Sequence, residues 1–343
     1  MKKSTIQDVA DRAGVSKGTV SAVINSKTTV KASTRERVRE VMREMNFRPK
    51  GQARNLKGQH VERTVGVIIR ELGNPFYTAI AKGVKKYANS QDYVEFIASS
   101  ESDHQNEEAI TQLFTSKDVK GAIIAPVMNV SVEIEHLFRL KLLNYPFVML
   151  AEVDGIQANV VSINNLSATR RAVTYLMDTG HTDIIHFAGP EFASHTYERI
   201  DGFRQAFSES NLIFTEDLVI PCGSHFQQGF ETGTDFFKAV DPKRFPMAVV
   251  CYNDVTALGL CSALRRLNID VPNQVSIIGN DDIEFARHWS PALTTIHTPL
   301  DELGMKAAEV LIRHIEADQI LPVENHVLES ELRIRETTLD LTQ

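Results

Sequence analysis

The sequence predicts an α/β protein: a small all-helical head followed by two doubly wound parallel sheets. Three observations predict it. Residues 1–60 carry 14 Lys/Arg against 5 Asp/Glu and the rest carry 23 against 39, so a head of charge +9 precedes a body of charge −16. Apolar residues in the head recur at helical spacing. From Thr64 onward, short apolar runs of strand length alternate with amphipathic helical stretches. The 343 residues, 43% apolar and 24% charged, suffice for two or three domains with substantial cores and exclude disorder.

In the head, Ile6, Val9, Ala10 and Ala13 fall at i, i+3, i+4 and i+7 behind Thr5-Ile6-Gln7-Asp8, a helix-opening box, so a helix runs over 6–13. Gly14 supplies a turn and Ser16 a cap for a second helix with Val20, Val23 and Ile24 on its apolar side. Ser33-Thr34-Arg35-Glu36 reads as another capping box before Val38, Val41, Met42 and Met45 of a third helix. This is helix-turn-helix architecture, and its second helix exposes Lys17, Thr19, Ser21 and Ala22, short polar or small side chains suited to a DNA major groove. Gly14-Val15-Ser16-Lys17-Gly18 also fits the G-x-S-x-G nucleophile turn, but that turn follows a strand and here a helix precedes it.

The body opens with strand-like runs at 65–69, 94–98, 121–125 and 147–151, with helical stretches at 75–89 and 106–115. A second set follows at 184–187, 219–220, 247–251 and 275–279, with helices over 166–179, 199–211, 226–239 and 255–267. Two wound lobes result, and Gly189, Gly202, Gly223, Gly229, Gly233 and Gly259 read as turns or packing points of the second.

Nucleotide chemistry is testable by absence. No two glycines are separated by one residue and no Gly-Lys pair occurs, which excludes G-x-G-x-x-G and Walker A loops. His181 and His186 fall at a turn and within a strand, a poor arrangement for a metal, and H-E-x-x-H is missing. Cys222, Cys251 and Cys261 cannot all pair and sit by apolar runs, as buried thiols do. No catalytic residue, cofactor or metal is therefore expected. The longest apolar stretch, 121–128, is too short to span a membrane, and Met1-Lys2-Lys3 leads into polar residues, so the expected setting is cytoplasmic.

Polar and aromatic residues cluster just past the strand ends, where open α/β sheets bind ligands: Asn74-Pro75-Phe76-Tyr77, Ser99-Ser100, Arg199 at a helix start, Asn253-Asp254 and Asp281-Asp282. A carboxylate, an amide, a guanidinium and two rings suit a hydroxyl-rich ligand. Asn253 and Asp254 equally suit a helix cap, Asp282 a loop-orienting role and Pro75 a first helical turn.

Thr5 to Asn25, T-I-Q-D-V-A-D-R-A-G-V-S-K-G-T-V-S-A-V-I-N, closely resembles the opening of the lactose-repressor (LacI) family of transcription regulators. The resemblance continues through 34–38, 46–49 and Ala53-Arg54-Asn55-Leu56-Lys57 and extends over nearly the whole chain. It implies a helix-turn-helix domain over 1–48 and a hinge helix and linker over 49–61. Residues 62–343 would form a core similar to periplasmic sugar-binding proteins, with one lobe over 62–161 and 293–323 and the other over 162–292 and 324–340. The implied DNA-binding residues are Thr5, Ser16, Lys17, Gly18, Thr19, Ser21, Ala22 and Asn25 in the head, with Ala53, Leu56 and Lys57 in the hinge. Gly18 and Ala22 depart from the family at base-reading positions, where they offer little hydrogen bonding.

The effector-binding residues implied are Phe76, Tyr77, Ser100, Arg199, Phe226, Asn253 and Asp281. Ala151 stands where many members carry an aspartate, with Glu152 beside it, and Ser224 replaces a usual aromatic, with Phe226 nearby. The family's default effector is a sugar or sugar derivative, with sugar phosphates and purines as variations. The implied partners are a palindromic double-stranded operator, that effector and a second copy of the chain, with no membrane. No leucine heptads follow the strand-like segment 327–334, so a dimer is expected rather than a tetramer. A repressor is the expected activity, with induction and corepression both open; a sugar-binding protein or an enzyme of phosphoryl or hydride transfer, without operator binding, is the alternative. Residues 50–57 are too few for a stable lone helix, so DNA and a symmetry mate would order it and let Leu56 wedge into the minor groove. Leu56→Ala is expected to weaken specific operator binding far more than non-specific binding in paired titrations, and equal losses would count against the wedge.

Overall fold

A computed structural model describes residues 5–24, 30–45, 63–127, 134–191 and 193–343. The chain divides into two units, Met1–Glu62 and Arg63–Gln343. In the first, α1 (Ile6–Ala13) opens on the Thr5 box: Asp8 N–H donates to Thr5 Oγ1 at 3.3 Å and Thr5 N–H to Asp8 Oδ2 at 2.7 Å. It ends at Gly14, whose φ of +64° is the left-handed geometry that glycine takes without strain. Ser16 Oγ accepts from Thr19 N–H at 3.1 Å and starts α2 (Lys17–Ile24). α3 (Ala32–Glu44) starts before the expected box, so Ser33 lies inside its first turn and not at the cap. Val9, Ala13, Val20, Val23, Val38 and Val41 form the core of the three helices.

The second unit holds two six-stranded sheets. One runs β11 (Asn325–Leu328), β5 (Asn159–Ile163), β4 (Phe147–Met149), β3 (Ala122–Ile124), β1 (Thr64–Ile69), β2 (Val94–Ser99), all parallel. The other runs β12 (Glu331–Arg333), β10 (Thr294–His297), β9 (Val275–Asp281), β8 (Met247–Cys251), β6 (Ile184–Ala188), β7 (Val219–Pro221), parallel except for β12.

Alternate residues serve opposite faces, as the two-residue strand period requires. In the first sheet Val65 and Val67 pack with α4 (Pro75–Ser90) and α12 (Leu300–Glu316), while Ile68 packs with α5 (His104–Ser116) and α6 (Glu135–Leu142). In the second, Ile185 and Phe187 face α9 (Phe226–Ala239) and α10 (Asp254–Arg266), and Ile184 faces α7 (Asn165–Asp178) and α8 (Ser194–Ser208). Both faces are covered, which is why these strands read as continuous apolar runs. Short α11 (Glu284–His288) follows β9.

Strand pairing corrects the expected lobe limits. Residues 294–297 pair with β9 in the second sheet although 293 onward is assigned above to the first lobe, and 325–328 pair with β5 in the first sheet although 324 onward is assigned to the second. The stretch read as one strand over 327–334 is two short strands in different sheets. These pairings link residues more than a hundred positions apart in one case, and no local pattern records them. The chain passes between lobes three times, at Asn164, at Thr298-Pro299 and at Glu329-Ser330. Helix α8 starts at Ser194, not Arg199, and its N-cap, Ala193, makes no side-chain capping bond that sequence could reveal.

Three helix pairs meet backbone to backbone, α7 and α8 at Gly202 against the Leu166 carbonyl and two others at paired glycines. A Cβ on Gly259 would collide with the carbonyl oxygen of Phe226, and one on Gly229 with that of Thr256; Gly83 and Gly304 do the same between α4 and α12. Gly259→Ala is expected to cost about 1–3 kcal/mol in urea denaturation, whereas Gly73→Ala, whose Cβ meets nothing within 4 Å, should change stability little.

Candidate functional site

In the head, Lys17 and Gly18 are exposed on α2, and Thr19, Ser21 and Ala22 are half-buried beside them, opposite the buried Val20 and Val23. Thr5 and Ser16 are exposed, but their hydroxyls already serve the caps of α1 and α2; Ser16 Oγ also lies 3.0 Å from Thr19 Oγ1. Asn25, Ala53, Leu56 and Lys57 lie outside the described residues.

In the core, the strands of both sheets end on a cleft between the lobes that encloses a cavity of about 310 Å³. Phe76, Tyr77, Arg199, Asn253 and Asp281 of the expected set line it together. Asn74 Oδ1 accepts from Phe76 N–H at 3.1 Å and turns α4 so that the Phe76 and Tyr77 rings meet edge to face, centroids 5.0 Å apart. Asn253 is both cap and wall: Oδ1 accepts from Thr256 N–H at 2.8 Å and Nδ2 donates to the Ser224 carbonyl at 2.9 Å.

Arg199 sits one and a half turns into α8 and is almost fully buried. Its Nε and Nη2 donate to Asn165 Oδ1 at 3.3 and 3.2 Å, Nη1 donates to the Tyr252 carbonyl, and its guanidinium lies over the Tyr252 ring. Its Nη2 is 4.0 Å from Asp281 Oδ1. Burial pushes the Asp281 pKa up to about 7 against the pull of Arg199 and of the Asn280 amide.

Asp281 and Asp282 end β9 at φ values of +113° and +57°, a region that non-glycine residues rarely occupy. Asp282 is tied down by Arg335 at 2.6 Å, Arg287 at 3.0 Å and His297 Nδ1 at 3.0 Å. Burial raises its pKa, but the two guanidiniums outweigh that and hold it below the usual carboxylate range. Asp254 is buried beneath the cleft, bonded to Thr295 Oγ1 at 2.5 Å and Ile283 N–H at 2.8 Å, and burial followed by the nearby Asp281 pushes its pKa well up. Asp254 and Asp282 are thus supports, and Asp281 is the carboxylate that faces the cavity.

Two expected residues stand apart. Ser100 is fully buried, its N–H bonded to the Ile69 carbonyl at 2.9 Å, and Ser102 lines the cavity instead. Phe226 lines an adjoining outer groove with Phe285. Sequence reasoning did not single out Arg70, Glu71, Asn165, His195, Gln228 or Tyr252. Arg70 and Tyr252 immediately follow β1 and β8, so the rule that ligands sit past strand ends could have found them. Burial, ahead of the charges of Arg70 and Arg199 and against the Glu198 bond, lowers the pKa of His195 and keeps the ring neutral at pH 7. His181 and His186 bond to Ser276 Oγ at 2.9 Å and the Val250 carbonyl at 2.8 Å, within the fold.

A helix-turn-helix unit joined to a two-lobed ligand-binding core defines a ligand-responsive transcription regulator. A model of bacterial regulatory proteins of the lacI family matches residues 5–50, and one of a periplasmic binding protein-like domain matches 173–338. The HTH-type transcriptional repressor PurR of Vibrio campbellii is 34% identical over 315 residues, 91% of this chain and 92% of the relative. The transcriptional regulator CelR in its cellobiose complex superposes with TM-score 0.71 at 26% identity, and the lac repressor dimer bound to operator and the anti-inducer ONPF does so with the same score and identity. Each comparison covers 98% of this chain and 100% of the other. The chain belongs to the LacI family of transcription regulators. Among the described residues, no helix is long and apolar enough to cross a membrane.

An acid whose pKa is raised by folding favours the folded state less as pH rises from its unfolded value toward its folded one. The raised pKa of Asp281, about 7, therefore lowers the stability of the ligand-free protein progressively between about pH 4 and 7. Asp281→Asn is expected to raise the Tm of the ligand-free protein, by more at pH 8 than at pH 5 in calorimetry; an equal shift at both would place the carboxylate in water.

Proposed function

We propose that this regulator is a cytoplasmic, non-catalytic repressor that binds a palindromic operator as a homodimer, with DNA affinity set by a sugar or sugar derivative in the cleft. The observation that carries this reading is the wall where Arg199 and Asp281 face Phe76 and Tyr77 across the lobes. Directional polar groups on one side and ring faces on the other suit a hydroxyl-bearing ring. The cellobiose of the CelR complex supports a sugar, and the operator of the lac repressor complex supports the DNA partner.

The hydroxyl face of α2 and the basic excess of the head support groove and phosphate contacts. A dimer surface on the first lobe is supported by edge strand β2, where Val94, Phe96 and Ile97 are 45%, 55% and 44% exposed. An apolar edge of that kind is ordinarily covered. Linkage between effector and DNA has a mechanical basis, because groups around the cavity bond to residues beside the interlobe crossings: Arg199 to Asn165, and Asp282 to His297. A ligand that prefers one closure would then shift DNA affinity by its differential affinity for the two closures.

The test is fluorescence-anisotropy titration of the full chain against upstream fragments, with and without sugars. Affinity is expected to fall by at least about a hundredfold between about 50 and 200 mM salt, as counterion release requires. A flat salt response, or DNA binding indifferent to every metabolite fraction, would overturn the proposal.

A further inference from the structure

The cavity contains two guanidinium groups, and they are held differently. Arg199 has a carboxylate neighbour, Asp281, and every nitrogen of its guanidinium is hydrogen-bonded. Arg70, at the end of β1 and only 7% exposed, has neither. Its Nε and Nη2 both donate to one carbonyl, that of Pro126, at 2.9 and 2.5 Å. Among the described residues no carboxylate comes within ion-pair distance of it, and its Nη1 has no hydrogen-bond partner. Its sequence neighbour Glu71 is engaged elsewhere: Oε2 lies 3.1 Å from His225 Nε2 across the cleft and Oε1 accepts from Ser102 at 3.4 Å.

A desolvated guanidinium without a counter-charge is expensive, and its planar fork matches phosphate or carboxylate oxygens. Arg70 borders both the main cavity and the smaller apolar chamber behind it, lined by Ile80, Leu150 and Ile163. The polar groups of the second lobe, Asp281 and Asn253, stand on the opposite wall. We propose that Arg70 is an anion subsite of the effector cavity, so that the effector is a sugar derivative bearing a phosphate or a carboxylate. This assignment rests on the effector reading given above. The anion would anchor on the first lobe while the hydroxyls engage the second, and one molecule would thereby bridge the lobes.

The test uses the full chain, a thermal-shift assay and four probes: inorganic phosphate, glucose-6-phosphate, glucuronate and glucose. Inorganic phosphate at about 20 mM is expected to raise the Tm of the wild type. At least one of the two sugar anions is expected to bind on the order of tenfold tighter than glucose, and which of them does so separates phosphate from carboxylate. Arg70→Met should abolish both effects, and Arg70→Lys should keep part of the phosphate shift. A phosphate shift equal in wild type and Arg70→Met, or absent from the wild type, overturns the subsite. If Arg70→Met does not fold, glucose binding the wild type as tightly as both sugar anions overturns it. Should glucose or another neutral sugar still change operator affinity in that case, the effector reading stands and only the anion assignment falls; the loss of operator binding altogether would sink both.

Discussion

Asp282 holds the floor of the cleft in a backbone conformation that two consecutive aspartates would not adopt alone. Residues at positive φ cost roughly 1–3 kcal/mol each unless their surroundings over-determine them. Here the surroundings do so, because the Asp282 carboxylate bonds Arg287, Arg335 and His297 at once. His297 ends β10, just before the second passage between lobes, and Arg335 follows β12, just after the third. Arg335 also donates to the Leu293 carbonyl at 2.8 Å, closing the knot. The outcome is a carboxylate, Asp281, aimed into the cavity by a neighbour that is itself fastened to the interlobe connections.

The first passage is fastened in a comparable way. Asn164 Nδ2 donates to Glu329 at 2.8 Å, joining the first and third passages, and Asn165 on the next position carries Arg199. A side chain that lines the cavity, Arg199, is therefore one hydrogen bond removed from a segment that joins the lobes. Within each lobe the helices are locked together: α9 packs on α10, and α4 on α12, at glycines whose backbones touch. Such contacts resist shear within each lobe, which leaves the passages as the compliant part. A transition confined to them is the kind that interlobe ligands bias.

Much of the fold was legible in local pattern. α1, α9 and β8 fall where spacing, caps and apolar runs place them, because those signals act within a few residues. β10 and β11 were not legible. Thr294-Thr295-Ile296-His297 is short and polar, and its burial comes from β9 and β12 on either side, which no window contains. The site divides in the same way. Phe76, Tyr77 and Asn253 open helices, Asp281 ends a strand and Arg199 lies one and a half turns inside α8, and topology brings the five together. Ser100 also follows a strand end, yet its hydroxyl is turned to the Ile69 carbonyl inside the lobe, so position without side-chain direction misleads. Arg70 also follows a strand end, and it is burial that distinguishes it from the solvated charges.

The two charged walls make unequal demands on an occupant. Asp281 is buried, and its neighbour Arg199 repays only part of the cost of ionising it, which is why its pKa reaches about 7. Hydroxyl donors reaching it would stabilise the ionised form, so occupancy would draw its pKa down and release a proton near neutral pH. The demand at Arg70 has the opposite sign, because a buried guanidinium there has no carboxylate partner among the described residues. A neutral polyol satisfies the first wall and leaves the second as costly as before. Complementarity to both walls together is reached by a molecule with hydroxyls at one end and negative charge at the other, and that dipolar requirement follows from burial and hydrogen bonding within the cavity itself.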